Sequence, residues 1–116
     1  MRKRGRPNKY RIVRLDPKIN LFSPRGRPGR PDEVDFAVDE FEAIRLADYL
    51  GLNQKEAAKS MRISQPTFSR ILKKAHKILA DGVVGGKIIR IQGGYYVIST
   101  RADSLPKDTK INGKIK

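Results

Sequence analysis

"MRISQPTFSRILKK", residues 61–74, is the stretch on which the fold turns. Its apolar residues recur at helical spacing, yet Pro66 stands near its front. Inside a helix, proline removes a hydrogen bond and clashes with the preceding turn. Placing the N-cap at Ser64 removes the conflict. Gln65 is then the first helical residue and Pro66 the second, where an amide has no intrahelical acceptor and the fixed φ suits the helix. Phe68, Ile71, Leu72, Ala75, Ile78 and Leu79 continue a single apolar stripe. Pro66 therefore announces a helix, expected over about 65–80.

Just upstream, Asn53 can cap a short helix over about 54–61, with Glu56 at the capping-box spacing and Ala57, Ala58 and Met61 facing inward. Arg62 and Ile63 form the turn between the two. Arg62 occupies a position that often needs positive φ, where glycine is frequent. A third pattern, "VDEFEAIRLADYLGL" (38–52), predicts another helix, with Asp39 as cap and Glu42 three residues on. Phe41, Ile44, Ala47 and Leu50 form its stripe, widened by Ala43 and Leu46, and Gly51 is a natural stop.

The flanks read differently. Residues 1–9 are a basic, unfolded arm, and "YRIVRL" (10–15) alternates enough for a short strand. "DPKINLFSPRGRPGRPDE" (16–33) holds four prolines and two glycines and reads as loop. Beyond Asp81-Gly82, "KIIRIQGGYYVIS" (87–99) predicts a β-hairpin about Gly93-Gly94, with Tyr95 and Tyr96 packing on the sheet and one of them facing outward. The expectation is a mainly α protein: an arm and loop at 1–33, a three-helix domain with a C-terminal hairpin at 34–100, and a loose basic tail at 101–116.

Charge narrows the function. The 116 residues carry a net +14, unevenly distributed. Residues 1–31 hold eleven Lys/Arg against one acid, and 52–80 hold seven against one, while 32–51 hold seven acids against one Arg. Such segregation points to a polyanion, of which nucleic acid is the usual one. The chain has no cysteine and a single histidine, His76, which excludes disulfides, thiolate chemistry and histidine-pair zinc sites. Paired carboxylates, a nucleophile–base pair and a phosphate loop are also missing, so neither catalysis nor a metal or other cofactor is expected. No apolar run approaches a membrane span and the N-terminus lacks a secretory pattern. A cytoplasmic, nucleoid-associated protein is the expectation.

A short helix, a tight turn and a longer helix match the helix-turn-helix, whose second helix enters the DNA major groove. The small pair Ala57-Ala58 allows close crossing, and Ile63 fills the angle. Opposite the apolar stripe, Gln65, Thr67, Ser69 and Arg70 suit base edges, while Lys55, Lys73, Lys74 and Lys77 suit phosphates. His76 falls on the polar side, where phosphate contact or plain exposure is expected. The acids from Asp32 to Asp48 read as helix N-terminal charge that keeps this face off DNA.

Residues 38–94, from "VDEFEAIRL" through "GLNQKEAA" and "ISQPTFSRIL" to "RIQGG", resemble a family of small, functionally uncharacterised bacterial and archaeal proteins predicted to bind DNA. Its helix-turn-helix is similar to the fourth region of sigma factors. The resemblance extends from about Phe22 to Gly94 and implies a helical DNA-binding core read through the helix from Gln65. It places Gln65, Ser69 and Arg70 where sigma-like proteins contact bases. Some members have cysteines near both ends of the domain; this chain has none, so no metal role carries over.

The string "RGRP" occurs at Arg4–Pro7 and again at Arg25–Pro28 and resembles the core of an AT-hook, whose arginines lie in a narrow minor groove. Arg4, Arg6, Arg25 and Arg27 are thus candidates for minor-groove or backbone contact; in the family, the second string corresponds to a structural loop. Duplex DNA is the expected partner. A homodimer formed through the hairpin stays open, as do two rivals: a sigma-like module acting on RNA polymerase, and an RNA-binding protein.

Overall fold

The computed structural model describes residues 10–26 and 28–100. In chain order it contains β1 (Arg11–Val13), β2 (Leu21–Phe22), β3 (Glu33–Phe36) and α1 (Val38–Ile44), which continues into a π-helical turn (Arg45–Tyr49). Then come α2 (Gln54–Met61), α3 (Gln65–Gly85), β4 (Ile88–Ile91) and β5 (Tyr96–Ile98). The 21-residue α3 joins two cores. Its front half gives Phe68, Ile71 and Leu72 to a helical cluster with Ala43, Leu46, Leu50, Leu52, Ala57, Ala58 and Met61. Its rear half gives Ala75, flanked by Ile78 and Leu79, to a cluster with Val13, Phe36, Val38, Ile89 and Ile91 from the strands.

The caps explain where the helices begin. Ser64 Oγ accepts from Thr67 N–H at 3.2 Å, and Pro66 lies in the first turn of α3. Asn53 and Glu56 form a reciprocal box at the start of α2: Asn53 Oδ1 accepts from Glu56 N–H at 2.8 Å, and Glu56 Oε1 accepts from Asn53 N–H at 3.2 Å. In α1 the expected cap is displaced. Ala37, not Asp39, is the N-cap, and Glu40 rather than Glu42 reaches back, accepting from Ala37 N–H at 2.9 Å. β3 runs almost directly into α1, so the helix starts before Asp39 can cap it. Along α1 and its π-helical extension, Ala43 and Leu46 lie deepest, with Phe41, Ile44 and Ala47 half-buried beside them.

Glu42 serves inside instead. Its carboxylate, fully shielded from solvent, accepts from Arg14 N–H at 2.9 Å and from Arg45 Nε and Nη2 at 2.8 and 2.9 Å. The Arg14 guanidinium donates to Ser60 O at 2.9 and 3.2 Å and to Ser99 O at 3.2 Å. Buried charge persists only when paired and hydrogen-bonded in this way. One ionic cluster therefore ties β1, α1, the end of α2 and the end of β5 together.

The expected hairpin is corrected. β4 pairs antiparallel with β2 and parallel with β3, so both its edges are taken and β5 cannot join it. β5 pairs in parallel with β1 instead, Arg11 opposite Tyr96 and Val13 opposite Ile98. Gly93 and Gly94, at φ 82° and 103°, carry the chain across the first turn of α1. Gly93 O accepts from Val38 N–H at 3.0 Å, and a Cβ on Gly94 would stand 2.6 Å from Asp39 Oδ1. The proline-rich segment expected as loop supplies the short strand β2.

The helix expected over about 65–80 also runs further, since α3 continues to Gly85 and Gly86 caps it in the left-handed region. A Cβ on Gly82 would meet Ile89 Cγ1 at 2.6 Å. Gly82 thus sets the close approach of α3 to β4 and does not end the helix. Among the described residues, no helix is long and apolar enough to cross a membrane, and no group of His, Asp or Glu is arranged to hold a metal ion.

Candidate nucleic-acid interface

The turn between α2 and α3 sets the attitude of the exposed helix. Arg62 is left-handed, φ 58° and ψ 43°, and its N–H reaches Ala58 O and Lys59 O. An L-residue there costs roughly 1–2 kcal/mol, a strain that the packing around it sustains. Ala57 and Ala58 are buried, which lets α2 approach α3 closely, and Ile63 packs half-buried against the helical cluster.

With Phe68, Ile71, Leu72 and Ala75 buried, the opposite ridge of α3 faces solvent. At 100° per residue, Pro66, Ser69, Arg70, Lys73 and Lys77 form its crest, all exposed, with Gln65 exposed at its front flank. No acid occurs from Gln65 to Ala80. Thr67 departs from the expected set of outward-facing residues. It is half-buried, and its Oγ1 accepts from Arg70 Nη2 at 3.3 Å and from Ser64 Oγ at 2.8 Å. It holds the Arg70 guanidinium in place beside the crest. Lys55 is exposed on α2 and Arg25 on the loop, while Arg4, Arg6 and Arg27 lie outside the described residues.

α1 and its π-helical extension pass beneath α3 and are pinned to it on both flanks. On one side Glu40 Oε2 lies 3.7 Å from Lys74 Nζ; on the other Asp48 Oδ2 lies 2.6 Å from His76 Nε2. His76 thus has a protein partner, and Lys74, 72% exposed at its side chain, has one that only partly engages it. The acidic segment is divided: Asp39, Glu40 and Glu42 are buried, while Asp32, Glu33, Asp35 and Asp48 are exposed.

Beside the Lys74 flank is a cleft of about 370 Å³ bounded by Arg11, Asp39, Glu40, Arg70, Ile71, Lys74 and Tyr95. Arg11 Nη1 lies 3.7 Å from Asp39 Oδ2, and the rings of Tyr10 and Tyr95 stack at 4.2 Å. Burial pushes the Asp39 carboxyl above the usual aspartate range, against the pull of Arg11. Desolvation, with help from Tyr10, likewise raises the Tyr95 phenol. Local pattern singled out neither Arg11 nor Asp39 for this cleft, because the packing of α1 on α3 places Asp39 there and the strand β1, paired with β5, places Arg11.

A family model described as "Protein of unknown function DUF134" matches residues 1–99. The chain belongs to the DUF134 family. The match takes in every element from β1 to β5. The chain is 47% identical over 94 residues to a UPF0251 protein of Caldanaerobacter subterraneus, covering 80% of each. It is 51% identical over 92 residues to one of Caldicellulosiruptor bescii, covering 79% of this chain and 64% of that protein. With a UPF0251 protein of Methanococcus vannielii the identity is 42% over 97 residues, covering 83% of this chain and 75% of the relative. No solved structure matches the chain significantly.

Proposed function

We propose that α2, the Arg62 turn and α3 form a helix-turn-helix similar to the fourth region of sigma factors, and that this DUF134 chain is a sequence-specific, double-stranded-DNA-binding transcriptional regulator. The observation that carries this reading is the two-sidedness of α3: a buried apolar face anchors it, and a crest of polar and basic side chains without an acid faces out. Such a crest has the width of a helix and suits the major groove. Arg70, steadied by Thr67, presents a fork matched to the acceptors of guanine, and Gln65 presents an amide matched to adenine. Ser69 lies between them. Lys55, Lys73 and Lys77 reach for phosphates.

Burial of Asp39, Glu40 and Glu42 weighs against the polymerase-binding rival, which needs those acids on the surface. In vitro selection from random duplexes, with structured RNA as competitor at matched salt, tests the proposal. An enriched duplex motif is the expected result. Arg70→Ala then weakens the selected site by about 1–3 kcal/mol and relaxes its sequence preference. Lys73→Ala weakens all duplexes alike and lowers the salt slope by about one. Failure of any motif to enrich, or preference for the RNA, overturns the reading.

A further inference from the structure

The cleft beside α3 brings Arg11 of β1 together with Arg70 and Lys74 of α3, cations from two elements far apart in sequence. The two carboxylates in it are themselves buried, and each lies behind one cation: Asp39 behind Arg11 and Glu40 behind Lys74. Both separations are 3.7 Å, longer than a charge-assisted hydrogen bond, so the nitrogens are held in position without being saturated. Ile71, Ala37 and Tyr95 give the cleft an apolar wall, and Tyr95 is braced by its stack on Tyr10. A charged floor with an apolar side is the shape of a sugar–phosphate unit and not of a base edge.

We infer that this cleft is a second DNA contact, in which Arg11 and Lys74 grip one backbone phosphate at the edge of the groove that α3 enters, while Tyr95 packs on the adjoining deoxyribose. The inference rests on the helix-turn-helix reading and deepens it. It extends the interface from one helix to the β1–β5 pair and gives Arg11, unremarkable by local pattern, a role in fixing the register of α3 on the duplex. A phosphate contact of this kind positions without reading sequence.

The test uses the full chain and the duplex obtained by selection, in fluorescence anisotropy titrations over a range of salt. Arg11→Gln is expected to weaken specific and random duplexes by the same factor and to lower the salt slope by about one, with base preference unchanged. A set of duplexes each carrying a single neutral methylphosphonate supplies the second measurement. One position flanking the reader helix should weaken the wild-type chain, and the same lesion should cost Arg11→Gln nothing further. Retention of wild-type affinity and slope by Arg11→Gln, while Lys73→Ala loses both, overturns this contact and leaves the helix-turn-helix reading standing. A methylphosphonate penalty as large in Arg11→Gln as in wild type also overturns it. If the wild-type chain selects no duplex, both readings fall together.

Discussion

The two halves of the molecule are built by different means. The helical half, from α1 through the front of α3, is a run of local decisions: a cap, a stripe, a turn and another cap within some thirty residues. The strand half is assembled from remote pieces, with β1 beside β5 and β4 between β2 and β3. α3 belongs to both, giving Phe68, Ile71 and Leu72 to one core and Ala75 to the other. The lesson is that α3 is aimed by elements distant in sequence as well as by its own turn.

The sharpest way to break this arrangement is to remove the charge that ties the halves together. Glu42→Ala leaves the Arg45 guanidinium and the Arg14 backbone without their shared acceptor. It should cost roughly 3–5 kcal/mol, with helical and aromatic signals lost in one denaturant transition. Two separated transitions in the wild-type chain would show that the halves fold independently and that Glu42 couples nothing. Phe68→Ala strikes the helical core alone. Phe68 is fully buried, so about 3–5 kcal/mol is expected by denaturant titration, together with weakened DNA binding as α3 loses its anchor.

Gly82→Ala acts at the opposite end of α3. Its new methyl group would press on Ile89, at a cost of about 1–3 kcal/mol in the same titration. Binding by the part of the population that remains folded should be unchanged, since Gln65, Ser69 and Arg70 are about three turns or more away. An equal loss of binding would mean that the rear packing sets the angle of α3.

These differences mirror what could be read from residues alone. Helical spacing, the Asn53 and Ser64 caps and the left-handed turn at Arg62 depend on neighbours within four positions, and they emerge from pattern directly. Strand pairing does not. "IIRI" and "YVI" carry the same β-forming composition whether or not they pair with each other, and Gly93-Gly94 suits a crossing as well as a hairpin. The long-range role of Glu42 is hidden for the same reason: its spacing from Asp39 suggests a cap, while Arg14, whose N–H it accepts beside the nearby Arg45, is 28 residues away. Of the candidate interface, the crest was legible and the cleft was not.

The smallest effect tests how the strand half holds the first turn of α1. Asp39 is buried under Gly94, and its carboxyl is raised because burial outweighs the pull of Arg11. For an acid the sign is then fixed: the folded chain takes up the proton more readily than the unfolded chain. Stability is greatest below the unfolded value and declines as pH rises through the folded one. Above the folded value the fold carries the penalty of an ionised Asp39. Asp39→Asn keeps an oxygen to accept from Glu40 N–H and removes the charge. It should therefore raise the unfolding midpoint at neutral pH and leave it unchanged below about pH 3, where both forms are neutral. A lower midpoint at neutral pH would show that the Arg11 attraction exceeds the cost of burial. The β1–α1 contact would then be an ion pair that stabilises the strand half, in place of a buried charge that the helix tolerates to keep Arg11 beside α3.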